Sequence, residues 1–131
     1  MKRTASCSCG NFTVEVEGEP VRISMCHCLE CQKRTGSIFG VQARWPLDKI
    51  TVRGESKEFV RKGDSGGVIR HRFCPTCGAT MTWEIDTMPG VMAVAVGAFA
   101  DPSFPPPRIS VYGARRHPWA VMPNLEVEEL D

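Results

Sequence analysis

"MCHCLEC", Met25 to Cys31, sets three thiols and an imidazole in one short stretch. Sulfur at this density serves as redox thiols, as halves of disulfides or as metal ligands, and the rest of the chain has to choose among them. Seven cysteines among 131 residues is an odd count, which leaves a disulfide framework incomplete. The opening "MKRTASCSCG" carries two cations with no apolar segment behind them, so no secretory signal is expected. The longest apolar run, "GVMAVAVGAFA" from Gly90 to Ala100, falls well short of the roughly 20 residues of a membrane span. A cytoplasmic protein with reduced thiols and no membrane partner is expected, and metal binding becomes the leading account of the cysteines.

The length suits a single domain, taken here as residues 1–131. Sixteen Lys plus Arg against fifteen Asp plus Glu give a formal charge of +1. No whole-chain field draws nucleic acid, and aromatic residues at 8% leave little for base stacking, so no nucleic-acid partner is expected. Strand-like alternation opens in "NFTVEVEG", where Phe12, Val14 and Val16 share one face, and returns in "VRISM" with Val21, Ile23 and Met25. Further strands are expected in "SIFGVQARW", "KITVRG", "KEFVRK", "GVIRHRF", "TMTWEI", "VMAVAVG" and "RISVYG", divided by turns at "KGDSGG", "DTMPG" and "DPSFPPP". Leu29 to Thr35 is the one helical stretch, with Gly36 placed to end it; "NLEVEELD" reads as a frayed end or an edge element. The fold class is therefore mainly β, of short antiparallel strands with one short helical turn region.

The cysteines fall into three groups: Cys7 and Cys9; Cys26, Cys28 and Cys31; Cys74 and Cys77. A closed structural zinc site needs four ligands, which no single pair supplies. "FCPTCGAT" has the form of a zinc knuckle, and "CSCG" has a glycine in the corresponding place, so the two pairs together make a plausible four-cysteine site. The triplet then offers three ligands from one loop, the pattern of a catalytic zinc with an open position. Other partitions stay open: the triplet could join either pair, or a histidine could close the second site. His27 alternates away from its neighbouring cysteines, His71 is in phase with Ile69 and Phe73, and His117 in "RRHPW" is a loop candidate for the fourth position or for proton transfer. Lys33 and Arg34 could offset thiolate charge or simply end a helix; Arg115 and Arg116 read as surface, and Trp45, Trp83 and Trp119 as packing.

"CSCGNFTVEVEG" (Cys7 to Gly18), "CHCLECQKRTGS" (Cys26 to Ser37) and "RFCPTCGATM" (Arg72 to Met81) together resemble the glutathione-dependent formaldehyde-activating enzyme family, also called Gfa-like or centromere-protein-V-like. The resemblance runs from about Ser6 to Gly97 with all seven cysteines in order, and "HPW" at His117 to Trp119 resembles the family's ending. It implies a zinc-stapled β-tent fold with two zinc ions per chain. By the same resemblance Cys7, Cys9, Cys74 and Cys77 hold a structural zinc, while Cys26, Cys28 and Cys31 hold a catalytic one that exchanges more readily and can be partly occupied. The implied activity is that of a carbon–sulfur lyase joining or splitting glutathione and formaldehyde through S-(hydroxymethyl)glutathione. Two other functions compete: a non-catalytic zinc-binding interaction module, and a thiol redox protein of the methionine sulfoxide reductase B type. The sequence carries no sign of oligomeric state.

Overall fold

The computed structural model describes residues 1–130. Alternation dictates the first sheet: in β2 (Phe12–Glu17), Phe12, Val14 and Val16 are fully buried while the intervening residues face outward. β2 pairs antiparallel with β1 (Lys2–Ser6) on one side and with β5 (Ile50–Gly54) on the other. β1 was not among the expected strands: of "KRTAS" only Ala5 is fully buried, so the segment carries no apolar period, and its place is set by pairing with β2.

The second sheet has eight strands: β3 (Arg22–Cys26), β4 (Gly40–Pro46), β6 (Lys57–Lys62), β7 (Val68–Phe73), β8 (Thr80–Ile85), β9 (Val91–Ala95), β10 (Ile109–Val111) and β11 (Glu128–Leu130). Their order is β11-β10-β3-β4-β9-β8-β7-β6. Most pairs are antiparallel, as expected, but β10 runs parallel to both β3 and β11. The acidic tail thus becomes an edge strand. Two boundaries also differ: "SIFGVQARW" is strand only from Gly40, and "VMAVAVG" leaves the sheet after Ala95 for a 3-10 turn over Val96–Phe99. The helix α1 (Leu29–Thr35) lies where expected, and Gly36 ends it in the left-handed conformation (φ 69°), its N–H donating to the Gln32 carbonyl at 2.8 Å.

The core lies between the small sheet and one face of the large one, where Phe12, Val14 and Val16 meet Trp45, Met81 and Val94. Trp45 is fully buried, donates its indole N–H to the Gly18 carbonyl at 3.0 Å, and faces the rings of Phe99 and Phe104. Because side chains alternate, the residues between these core positions line the opposite face: Arg22, Ser24 and Cys26 on β3, Gln42 and Arg44 on β4, His71 on β7 and Trp83 on β8. That face walls a cavity of about 300 Å³. Trp45→Ala should cost about 3–5 kcal/mol in urea unfolding. A loss below about 1 kcal/mol would place the core elsewhere.

Candidate metal centres

Two groups of sulfur atoms form, each with its atoms within 4.8 Å of one another: Cys7, Cys9, Cys74 and Cys77, and Cys26, Cys28 and Cys31. The first is built by two similar turns. Cys74 accepts the Gly78 N–H on its carbonyl at 2.8 Å, Gly78 takes φ +79°, and the Thr76 N–H points at Cys74 Sγ from 3.4 Å. In the other turn Gly10 takes φ +82° and donates to the Cys7 carbonyl at 3.1 Å, while the Phe12 N–H donates to Cys7 Sγ at 3.2 Å. Cys7 Sγ lies 3.6 Å from Cys9 Sγ, which lies 3.5 Å from Cys74 Sγ. A tetrahedral shell with bonds of about 2.3 Å sets sulfurs about 3.8 Å apart, so this donor set fits a closed metal site. Backbone N–H groups of Ala79 and Cys9 hold the Cys77 thiol down at about 6, in the range where it is ready to ligate.

The triplet is made by the end of β3 and the first turn of α1. Cys28 is the N-cap of the helix, and its sulfur accepts the Cys31 N–H at 3.3 Å. A two-residue gap sets Cys28 and Cys31 on the same side of that turn, and Cys26 closes the group as the last residue of β3. All three are buried. Hydrogen bonding from the Cys26 thiol pulls the Cys28 thiol well below its usual value, and the same contact pushes Cys26 up. Three adjacent sulfurs resist ionising together unless a cation joins them, and they face the cavity, where a further ligand can reach.

Four arginines line that cavity: Arg22, Arg34, Arg44 and Arg61. Arg34 stands 4.2 Å over the ring of Trp83. Gly40, opposite Cys26 in the β3–β4 register, makes room for it: a Cβ there would come within 2.8 Å of Arg34 Nη2. His71 is buried between Phe59 and Trp83, and its Nδ1 has no protein partner. Burial, reinforced by Arg34 and Arg61, lowers its pKa to about 4, so it is neutral at pH 7.

Among the described residues no histidine joins either sulfur group. His27 is fully buried with Nε2 3.1 Å from Ser110 Oγ, and His117 Nε2 meets Gln32 Oε1 at 2.9 Å, tying its loop to α1. Lys33 is exposed and pairs with Glu30 at 3.4 Å, leaving Arg34 alone of that pair in the cavity wall. Arg115 lies against Tyr112, Arg116 pairs with Glu129 at 2.7 Å, and Trp119 is exposed. Trp83 does more than pack, since it walls the cavity. Sequence reasoning missed Arg22, Gln42, Arg44 and Arg61. Their one signal was phase: Arg22 and Ser24 fall between the apolar positions of "VRISM" and therefore share a face with Cys26.

The family model for the glutathione-dependent formaldehyde-activating enzyme matches residues 2–115. A Talaromyces marneffei protein provisionally named for that activity is 32% identical over 81 residues, which is 60% of this chain and 43% of the relative. The chain thus matches less than half the length of this curated relative. A crystal structure of a Rhodobacter sphaeroides protein shares the fold with a TM-score of 0.57 at 23% identity, covering 79% of this chain and 91% of that one.

The two sulfur groups should respond differently to loss of a ligand. Cys74→Ser is expected to unfold or aggregate because a clip between distant turns is lost, whereas Cys28→Ser should keep its circular dichroism spectrum and lose one equivalent of metal. Equal metal content in Cys28→Ser and wild type would contradict a metal role for the triplet.

Proposed function

Because the chain belongs to the glutathione-dependent formaldehyde-activating enzyme family, we propose that its single domain is a zinc-dependent carbon–sulfur lyase acting on a thiol–aldehyde adduct, with S-(hydroxymethyl)glutathione as the reference substrate. The observation that carries the reading is the convergence of three buried sulfurs on a cavity walled by arginines. Cys7, Cys9, Cys74 and Cys77 would hold a structural zinc, and Cys26, Cys28 and Cys31 the catalytic one. Zinc bound by the triplet would supply Lewis acidity and favour the thiolate form of an incoming thiol.

The chain's own residues answer the electrostatic problem this creates. Three thiolates on a divalent ion leave a net charge of −1, which a substrate thiolate would double. Arg61 acts on Cys28 and Arg34 on Cys31, each favouring the thiolate. Trp83 holds Arg34 in place by stacking, and Gly40 leaves space for the guanidinium beside Cys26. His71 contributes a neutral ring to the cavity wall. In the synthetic direction the glutathione sulfur bonds to the formaldehyde carbon, the carbon–oxygen π pair moves to oxygen, and the thiol proton ends on that oxygen. The reverse reaction returns the pair and releases the thiol.

Zinc-loaded protein should accelerate exchange between formaldehyde and its glutathione adduct, followed by NMR with labelled formaldehyde. Arg34→Met should lower that rate at least about tenfold while keeping the metal. If the loaded protein neither binds glutathione nor accelerates exchange, the lyase reading fails.

A further inference from the structure

The cavity holds more positive charge than the triplet alone accounts for. Along β3 the inward residues are Arg22, Ser24 and Cys26; directly opposite them on β4 stand Arg44, Gln42 and Gly40. The two strands make one ladder with sulfur at one end and two guanidinium groups at the other. Arg44 is only 6% exposed, and its Nη1 donates to Ser24 Oγ at 3.3 Å. Gln42 Nε2 donates to the same oxygen at 3.0 Å. Ser24 Oγ therefore accepts twice, and Gln42 Oε1 beside it is buried without a partner. Arg22 Nε is buried without a partner. Among the described residues none of the four cavity arginines lies within 4.0 Å of a carboxylate, Asp64 in the cavity wall included.

A buried arginine set opposite another arginine is costly: burial followed by Arg22 brings the pKa of Arg44 down to about 10, with Cys26 and Cys31 acting the other way. Against two guanidinium groups the cluster sets one unpartnered acceptor, Gln42 Oε1, so donors are left over for an anion to complete. We infer that Arg22, Ser24 and Arg44 form an anion subsite that takes a carboxylate of the thiol ligand. Ser24 lies two residues from Cys26, about 7 Å along the strand. The subsite therefore selects ligands whose carboxylate stands a peptide-like distance from the sulfur. It adds nothing to the binding of neutral thiols, or of those with the carboxylate on the adjacent carbon, which the sulfur end alone would hold. Arg34 and Arg61 serve the sulfur end, and Arg22 and Arg44 the far end, so the two pairs divide the charge of the substrate between them.

This inference rests on the lyase reading for the thiol, and its test separates the two. Zinc-loaded wild type is titrated calorimetrically with S-methylglutathione, which keeps both carboxylates but has no free thiol, with the dimethyl ester of that compound, and with 2-mercaptoethanol. S-methylglutathione should bind at least about tenfold more tightly than its ester, and both Arg22→Gln and Arg44→Met should erase that preference. Arg22 is partly exposed, so its variant keeps the test available if Arg44→Met fails to fold. Equal binding of acid and ester, no binding of S-methylglutathione, or an unchanged preference in a folded Arg22→Gln would overturn the subsite. Binding of 2-mercaptoethanol reports the sulfur end separately: its absence beside a retained acid preference would sink the lyase reading and leave the subsite standing.

Discussion

The register between β3 and β4 is the constraint on which the candidate site depends. It sets Cys26 opposite Gly40, Ser24 opposite Gln42 and Arg22 opposite Arg44, with every inward side chain on one face. A slip of one residue would turn the whole set into the hydrophobic core and bring Ala43 and Trp45 into the cavity. The core prevents that slip, because Trp45 and Ala43 are fully buried against the small sheet. Stability on one face of the sheet and chemistry on the other are two consequences of a single alignment.

Charge gives the cavity its direction. At one end three buried sulfurs concentrate negative charge once they ionise, and Arg34 and Arg61 lie near enough to favour that state. At the other end Arg22 and Arg44 face each other without a described carboxylate. Low-dielectric walls such as Trp83 and Ile69 strengthen both interactions. A ligand with sulfur at one terminus and an anion at the other satisfies both ends, whereas an uncharged one leaves the guanidinium groups unpaired. The neutral state of His71 follows from the same field, since burial and two neighbouring arginines oppose its protonation.

Local features were the most legible in the sequence. Leu29 to Thr35 and its terminating Gly36 were readable because capping is decided within a few residues, and the buried phase of "NFTVEVEG" because alternation is. The two sulfur groups follow the spacing of the cysteines, and Gly10 and Gly78 take matching left-handed turns as the glycine positions suggested. β1 was hidden because its pairing with β2, rather than any pattern of its own, makes it a strand. The arginine end was hidden for a different reason. A charged residue in an alternating strand reads as facing water, and nothing local reports that β7 and β8 bring a second wall against that face. The parallel pairing of β10 with β3 depends likewise on a distant segment.

The proposed chemistry turns on a thiol ligand completing a metal shell begun by Cys26, Cys28 and Cys31. Zinc K-edge absorption fine structure reads that shell directly. Two zinc ions shared among the seven cysteine sulfurs would give an average of about 3.5 sulfurs per zinc, and saturating glutathione should raise it to about 4 with bonds near 2.3 Å. An average that stays unchanged as glutathione is added would contradict a thiol-binding metal centre at the foot of this cavity.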